Sequence, residues 1–151
     1  MTKIEWLRAE HLPGIAELEA LCFSAPWSEN ALKLLLGPDA IGMVYTEDGH
    51  VLAYGGMMLA PDEGQILNLA VHPDRRRTGL GRRILNGLLA EAVARNLGQV
   101  ALEVRVSNTA AISLYTAAGF SIEGRRPHFY KQPAEDAFVM LWRAKDHLNG
   151  D

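Results

Sequence analysis

Apolar residues begin to recur every three or four positions at Leu12, continuing through Ile15, Leu18, Leu21 and Cys22. That spacing predicts an amphipathic helix over 12–22. "PWSENALKLLLG" places Ser28 as an N-cap and Gly37 as a stop, so a second, short helix lies between them. The period then changes. "IGMVYT" and "VLAYGGMML" read as strands joined by the tight turn "EDGH". "QILNLAV" follows a "PDEG" turn and is almost wholly apolar, as a strand buried on both faces would be. His72-Pro73 ends it, because proline has no N–H to give a ladder. Leu80, Ile84, Leu85, Leu88, Leu89, Ala92 and Val93 form the clearest helical stripe, closed by Gly98. "VALEVRV" is another strand, and Asn108 opens a helix over "TAAISLYTAAG" that ends at Gly119. "FSIEGRR" and "DAFVMLW" are two last strands, joined by the proline-containing "PHFYKQPAE". This order (helix, helix, three strands, helix, strand, helix, two strands) predicts an α/β fold in which helices pack on a mixed sheet. No repeat, low-complexity tract or linker divides the 151 residues, so one domain over 1–151 is expected.

Composition narrows the function classes. The chain is 48% apolar and 22% charged, the balance of a soluble globular protein. No apolar run approaches the roughly 18 residues of a membrane span, and "MTKIEWLRAEHL" lacks the pattern of a signal peptide. A cytoplasmic protein without membrane association is expected. Cys22 is the only cysteine in the chain, which excludes an internal disulfide or a cysteine metal cluster. The histidines at 11, 50, 72, 128 and 147 have no metal-ligand spacing, so no metal is expected. With a net charge of −3, direct nucleic-acid binding is not expected either. Basic residues concentrate instead at 75–83 and 125–126, a local device suited to something small and anionic.

The chemistry centres on "RRRTGLGRRIL", residues 75–85, where five arginines surround two glycines ahead of the long helix. The first turn of a helix has unpaired N–H groups and the positive end of the macrodipole. Glycines let an anion approach such backbone closely, so strand–loop–helix reads here as a phosphate cradle. It is not a Walker loop, because no glycine is followed by Lys and then Ser or Thr. A dinucleotide fingerprint fits half-way: Gly79 and Gly81 match, and Glu103 lies about 20 residues on, but Ile84 holds the third glycine position.

"QILNLAVHPDRRRTGLGRRIL" resembles the central motif of the GNAT N-acetyltransferases: Arg or Gln, two residues, Gly, one residue, then Gly or Ala. Here these are Arg76, Gly79 and Gly81. "CFSAPWSENAL", "LEVRVSNTAAISLYTAAGF" and "EDAFVM" narrow the resemblance to the ribosomal-protein alanine N-acetyltransferases (the RimI type). The resemblance implies the GNAT fold: one mixed, mostly antiparallel sheet with a central parallel pair splayed for acetyl-coenzyme A, and helices on both faces. It implies that Arg76, Arg77, Thr78, Gly79, Leu80, Gly81 and Arg82 hold the coenzyme's pyrophosphate. Leu69, Ala70 and Val71 would then pair with its pantetheine arm and acetyl group through free backbone groups, and Asn108 would hydrogen-bond the same arm. The implied reaction is acetyl transfer to the N-terminal amine of a small-subunit ribosomal protein. An acetyltransferase for small amines, and a non-catalytic coenzyme-A-binding module, are the alternatives.

Transfer to an amine requires a neutral nucleophile, a polarised carbonyl and a protonated leaving group. An α-amine near pKa 8 is about one-tenth neutral at pH 7, whereas about one lysine amine in 2,500 is. A single carboxylate, directly or through water, suffices as base for the former. Glu103 is the candidate: it sits among the apolar residues of "VALEVRV", and the family's proposed base matches this position. By the same resemblance, the Tyr115 hydroxyl faces the coenzyme sulfur as the acid. Trp27 and Tyr130 are candidate walls of a peptide groove. The family's late loop often carries paired tyrosines; here it reads "RRPHFYKQ". Cys22 falls in the first-helix region, apart from these motifs, so direct attack in a ternary complex is expected rather than an acetyl-cysteine.

Overall fold

The computed structural model describes residues 1–131 and 133–147. Its elements are β1 (Thr2–Trp6), α1 (Leu12–Cys22), α2 (Glu29–Leu32), β2 (Ala40–Glu47), β3 (His50–Leu59), β4 (Glu63–Val71), α3 (Leu80–Ala94), β5 (Gln99–Arg105), α4 (Thr109–Ala117), β6 (Ser121–Lys131) and β7 (Ala134–Arg143). The described residues form a seven-stranded sheet in the order β1-β2-β3-β4-β5-β7-β6. Neighbours are antiparallel except the parallel pair β4–β5. This is the expected mixed, mostly antiparallel sheet.

Two apolar clusters sandwich it. On one face Leu80, Ile84, Leu85, Leu88, Leu89 and Ala92 of α3 pack with Tyr115 of α4 against Met57, Ile66, Leu102, Val104 and Met140. The 3.6 spacing of α3 exists to place that stripe, and each fully buried Leu or Ile contributes about 1.5–3 kcal/mol. On the other face Leu12, Ile15 and Leu18 of α1 join Leu32, Val44, Tyr54 and Ala70. Helices therefore cover both faces, as the family resemblance implies. Ser28 caps α2 as expected, its Oγ accepting from Ala31 N at 3.1 Å.

The site is made by a failure of pairing. β4 and β5 pair only over Glu63↔Gln99, Gly64↔Val100 and Gln65↔Ala101. Beyond Gln65, β4 stays with β3 as far as Val71↔Ala53, while β5 stays with β7 as far as Arg105↔Ala137. The sheet thus splits between them. The register of β3 with β4 shifts at the same level, from Met57↔Ile66 to Gly56↔Asn68, leaving Leu67 as an extra residue in a bulge. Leu67, Asn68 and Leu69 are only partly buried. The apolar run that read as a strand buried on both faces is instead half wall of a cleft.

Other differences have local causes. β1 escaped the hydrophobic pattern because it is a polar edge strand, exposed along most of its length. In α1 the inner face carries Glu19, with no exposed surface, whereas Leu21 is 58% exposed. α3 stops at Ala94, short of the Gly98 that was expected to close it, and Asn96 takes a left-handed φ of 60°. Most of "PHFYKQPAE" is strand, since β6 runs to Lys131 through a bulge where His128 has φ 55°. Gln132 of that segment lies outside the described residues.

Candidate active site

The split has two walls. β4 gives one wall from Leu67 to Val71; among the described residues its Leu69, Ala70 and Val71 have strand partners only on β3, and the Val71 carbonyl also accepts from two side chains. β5 gives the other wall, ending near Asn108. The Asn108 Oδ1 accepts from Ala111 N at 3.1 Å, so it does cap α4, and its Nδ2 donates to none of the described residues.

At the mouth lies the loop from His72 to Gly79. Gly79 has φ 87° and ψ 2° as the first flank of α3, and no side chain caps the helix. An added Cβ there would meet nothing within 4 Å. Glycine is thus needed for the left-handed turn, and the space above the amides of Leu80, Gly81 and Arg82 stays open. At Gly81 a Cβ would stand 3.4 Å from Leu114 of α4 and from Val71 of β4, so the helix starts in ordinary contact with both elements. Thr78 Oγ1 donates to the Arg75 carbonyl and holds the turn. Arg77, with φ 65°, is exposed on it, whereas Arg82 is half-buried in the first turn of α3 and donates from Nε to Asn86 Oδ1 at 3.1 Å. The five arginines do not act alike. Arg75 is tied to Glu47 at 2.8 Å, and Arg83 lies over the Tyr45 ring at 5.6 Å, so these two belong to the scaffold. Arg76 folds back, its Nε donating to the Val71 carbonyl at 3.3 Å.

Side chains alternate along β5. Leu102 and Val104 enter the α3 cluster, so Glu103 and Arg105 face the opposite side of the sheet. Glu103 does not sit in an apolar pocket. Gln65 Nε2 donates to its Oε1 at 2.8 Å, and Arg126 Nη1 stands 3.8 Å from its Oε2. Two residues on, the Arg105 guanidinium lies 4.2 Å from the Tyr130 ring centre and donates to the Pro133 carbonyl at 2.8 Å. Tyr130 is thereby held near enough to the candidate base to feel its charge. Tyr115 is on the other face, buried edge-on to Phe120 with ring centres 5.7 Å apart. Burial pushes its hydroxyl well above the usual tyrosine range, and Tyr130 pushes it further. Burial likewise raises Tyr130, with Arg105 opposing. Glu103 and Tyr115 thus belong to opposite faces of the sheet.

Two participants were not legible in the sequence. Glu19 accepts from Tyr54 Oη at 2.5 Å, from Trp27 N at 2.9 Å, and from Asn68 Nδ2. Its signal was only a carboxylate next to the inner Leu18. Cys22 is the second, and its expected remoteness is corrected: Sγ donates to the Val71 carbonyl at 3.4 Å, beside Arg76. Helix α1 simply ends where β4 ends. Burial pushes the thiol up, so it stays protonated and is a poor nucleophile.

Comparison with known proteins decides the family. The model of the acetyltransferase (GNAT) family matches residues 12–120. The chain belongs to the GNAT family. Among relatives of this GNAT protein is the ribosomal protein bS18-alanine N-acetyltransferase of Escherichia coli strain K12, 34% identical over 93% of this chain and 96% of that one. The protein of the same name from Salmonella typhimurium is 35% identical over the same shares, 93% and 96%. The crystal structure of the ribosomal-protein-S18-alanine N-acetyltransferase from Escherichia coli matches with a TM-score of 0.88, covering 95% of this chain and 94% of that chain. The structure of Ard1 from Thermoplasma volcanium, 24% identical with a TM-score of 0.84, shares the fold.

GNAT proteins use acetyl-coenzyme A, and the residues present fit it. An uncapped helix start above an open left-handed glycine suits a diphosphate. An unpaired strand edge suits an amide-bearing arm. No group of three or more His, Cys, Asp or Glu among the described residues is placed to hold a metal, and no helix among them is long and apolar enough to cross a membrane.

Proposed function

We propose that this protein is an acetyl-coenzyme-A-dependent N-acetyltransferase acting on the N-terminal alanine amine of a bS18-type ribosomal protein. The observation that carries the reading is the β4–β5 split, with an uncapped helix at its mouth and Glu103 at its vertex. The family supports the transfer, and the relatives' names support the acceptor. When bound, acetyl-coenzyme A supplies an acetyl group activated as a thioester. The pyrophosphate falls to Arg76, Arg77, Thr78, Gly79, Leu80, Gly81 and Arg82, and the arm to Leu69, Ala70, Val71 and Asn108.

The chain does the rest. Glu103 takes the proton of the incoming ammonium, directly or through one water, oriented by Gln65 and Arg126. Tyr115 keeps its proton throughout the neutral range because burial disfavours the phenolate. Its hydroxyl therefore serves the leaving group as a hydrogen-bond donor. A protonated, part-buried Cys22 supports direct attack rather than an acetyl-cysteine.

The test is a thiol-release assay across N-terminal peptides, beginning with those that start in alanine. Turnover should favour these over peptides offering only lysine and over polyamines. Preference for polyamines would make it a small-amine enzyme. Coenzyme binding without thiol release from any amine would make it a binding module.

A further inference from the structure

Glu19 is a carboxylate without exposed surface. Three donors converge on it from three parts of the chain: Tyr54 of β3, Asn68 of β4 and the Trp27 amide in the segment after α1. That is the set an ionised carboxylate needs. An aliphatic residue would fill the same space but leave these three donors without an acceptor. The carboxylate therefore ties three segments together as well as filling space.

What it joins borders the split. Asn68 is the first residue past the Leu67 bulge, at the level where β4 has left β5. The bulge puts Leu67 and Asn68 on the face of β4 that looks toward α1, while Leu69 and Val71 return to the α3 side. Glu103 and its partner Gln65 are on the α1 side too. Cys22 touches Val71, and Trp27 is bonded beside Asn68, so the chain from 22 to 27 runs along the unpaired half of β4. It forms the bank of the cleft opposite Arg105, Arg126 and Tyr130.

Resting on the acyl-transfer reading above, we propose that Glu19 is a positioning residue: by clamping the β4 bulge to the 23–27 segment, it sets the width of the groove that admits the acceptor amine. It does not touch the reacting atoms. Its effect is on where the amine sits relative to Glu103, and the arm-binding residues Leu69 to Val71 keep their β3 ladder without it.

The test compares Glu19→Leu, Glu19→Gln and Asn68→Ala with the natural chain. Glu19→Leu should raise KM for an alanine-starting peptide at least tenfold, with acetyl-coenzyme A affinity within threefold. Glu19→Gln, which keeps an acceptor for the Trp27 amide, should recover part of that loss. Hydrogen exchange over residues 23–28 should quicken at least tenfold in Glu19→Leu. If Glu19→Leu does not fold, Asn68→Ala carries the same expectations for KM with a smaller change in exchange. Unchanged KM and unchanged exchange in a folded variant would overturn the proposal, as would a loss of thermal stability alone. The exchange readout needs no substrate. A natural chain that acetylates no peptide would sink the function reading, while exchange would still decide whether Glu19 holds this segment.

Discussion

Gln65 donates a hydrogen bond of 2.8 Å to Glu103, and the two residues straddle the vertex of the split. Gln65 belongs to the last paired rung of β4 and β5, and Glu103 lies two residues beyond it on the same face. A carboxylate anchored there is held by the paired part of the sheet and presented to the unpaired part. On the proposed function, proton removal would take place beside the last paired rung, where Gln65 holds the carboxylate.

If Glu103 is the base, Glu103→Gln should lower kcat/KM for an alanine-starting peptide by about 10²-fold at pH 6.5. The deficit should narrow as pH rises past about 8, where the α-amine is already half neutral. Coenzyme affinity should stay within twofold by calorimetry. A pH–rate profile parallel to that of the natural enzyme would remove Glu103 from the chemistry.

Tyr115→Phe separates the hydroxyl from the ring. The ring packs on Phe120 and would persist. No sealed side-chain polar atom among the described residues lacks a partner, and the Tyr115 hydroxyl bonds to none of them, so it borders open space. Its loss should cost about 1 kcal/mol or less in thermal unfolding while cutting kcat about tenfold or more. Full activity in this variant would reduce Tyr115 to packing.

Gly79→Ala tests the loop. The new Cβ meets no neighbour, so the expected penalty is that of a left-handed alanine, about 1–2 kcal/mol. For a chain of this size that is a fall of about 2–8 °C in Tm. Coenzyme affinity should weaken by about tenfold or more, since the Cβ projects where the diphosphate is proposed to sit. Natural-like affinity in titration would contradict the cradle.

The β6–β7 ribbon should set the acid limit of stability. Glu123 is held below the ordinary carboxylate range by Arg143, Glu135 by Ser107, and Asp136 by the His128 amide and Arg125. Depressed groups of this kind stabilise the fold above their unfolded pKa of about 4, and that contribution is lost as pH falls through their folded values. Tm should therefore drop from pH 5 to pH 3, and more shallowly in Asp136→Asn. An equal slope in the two proteins would show that Asp136 carries none of it.

The sequence by itself determined the local elements and suggested a chemistry for the loop. A 3.6 period fixed α1 and α3, Ser28 and Asn108 marked helix starts, and "RRTGLG" between a strand and a helix raised the expectation of an anion site. Each of these is a relation among residues close in the chain, where propensity and spacing act directly. It also pointed to Glu103 and Tyr115, though only by likeness to a family. Tertiary structure decided the rest. The early parting of β4 from β5 turned an apolar run into a cleft wall, and β1 emerged only because β2 offers it a partner. Glu19, Asn68 and Trp27 lie up to 49 positions apart, and Cys22 is as far from Val71. Hydrogen bonds across such distances leave no period in the sequence, because they depend on how the helices and strands pack.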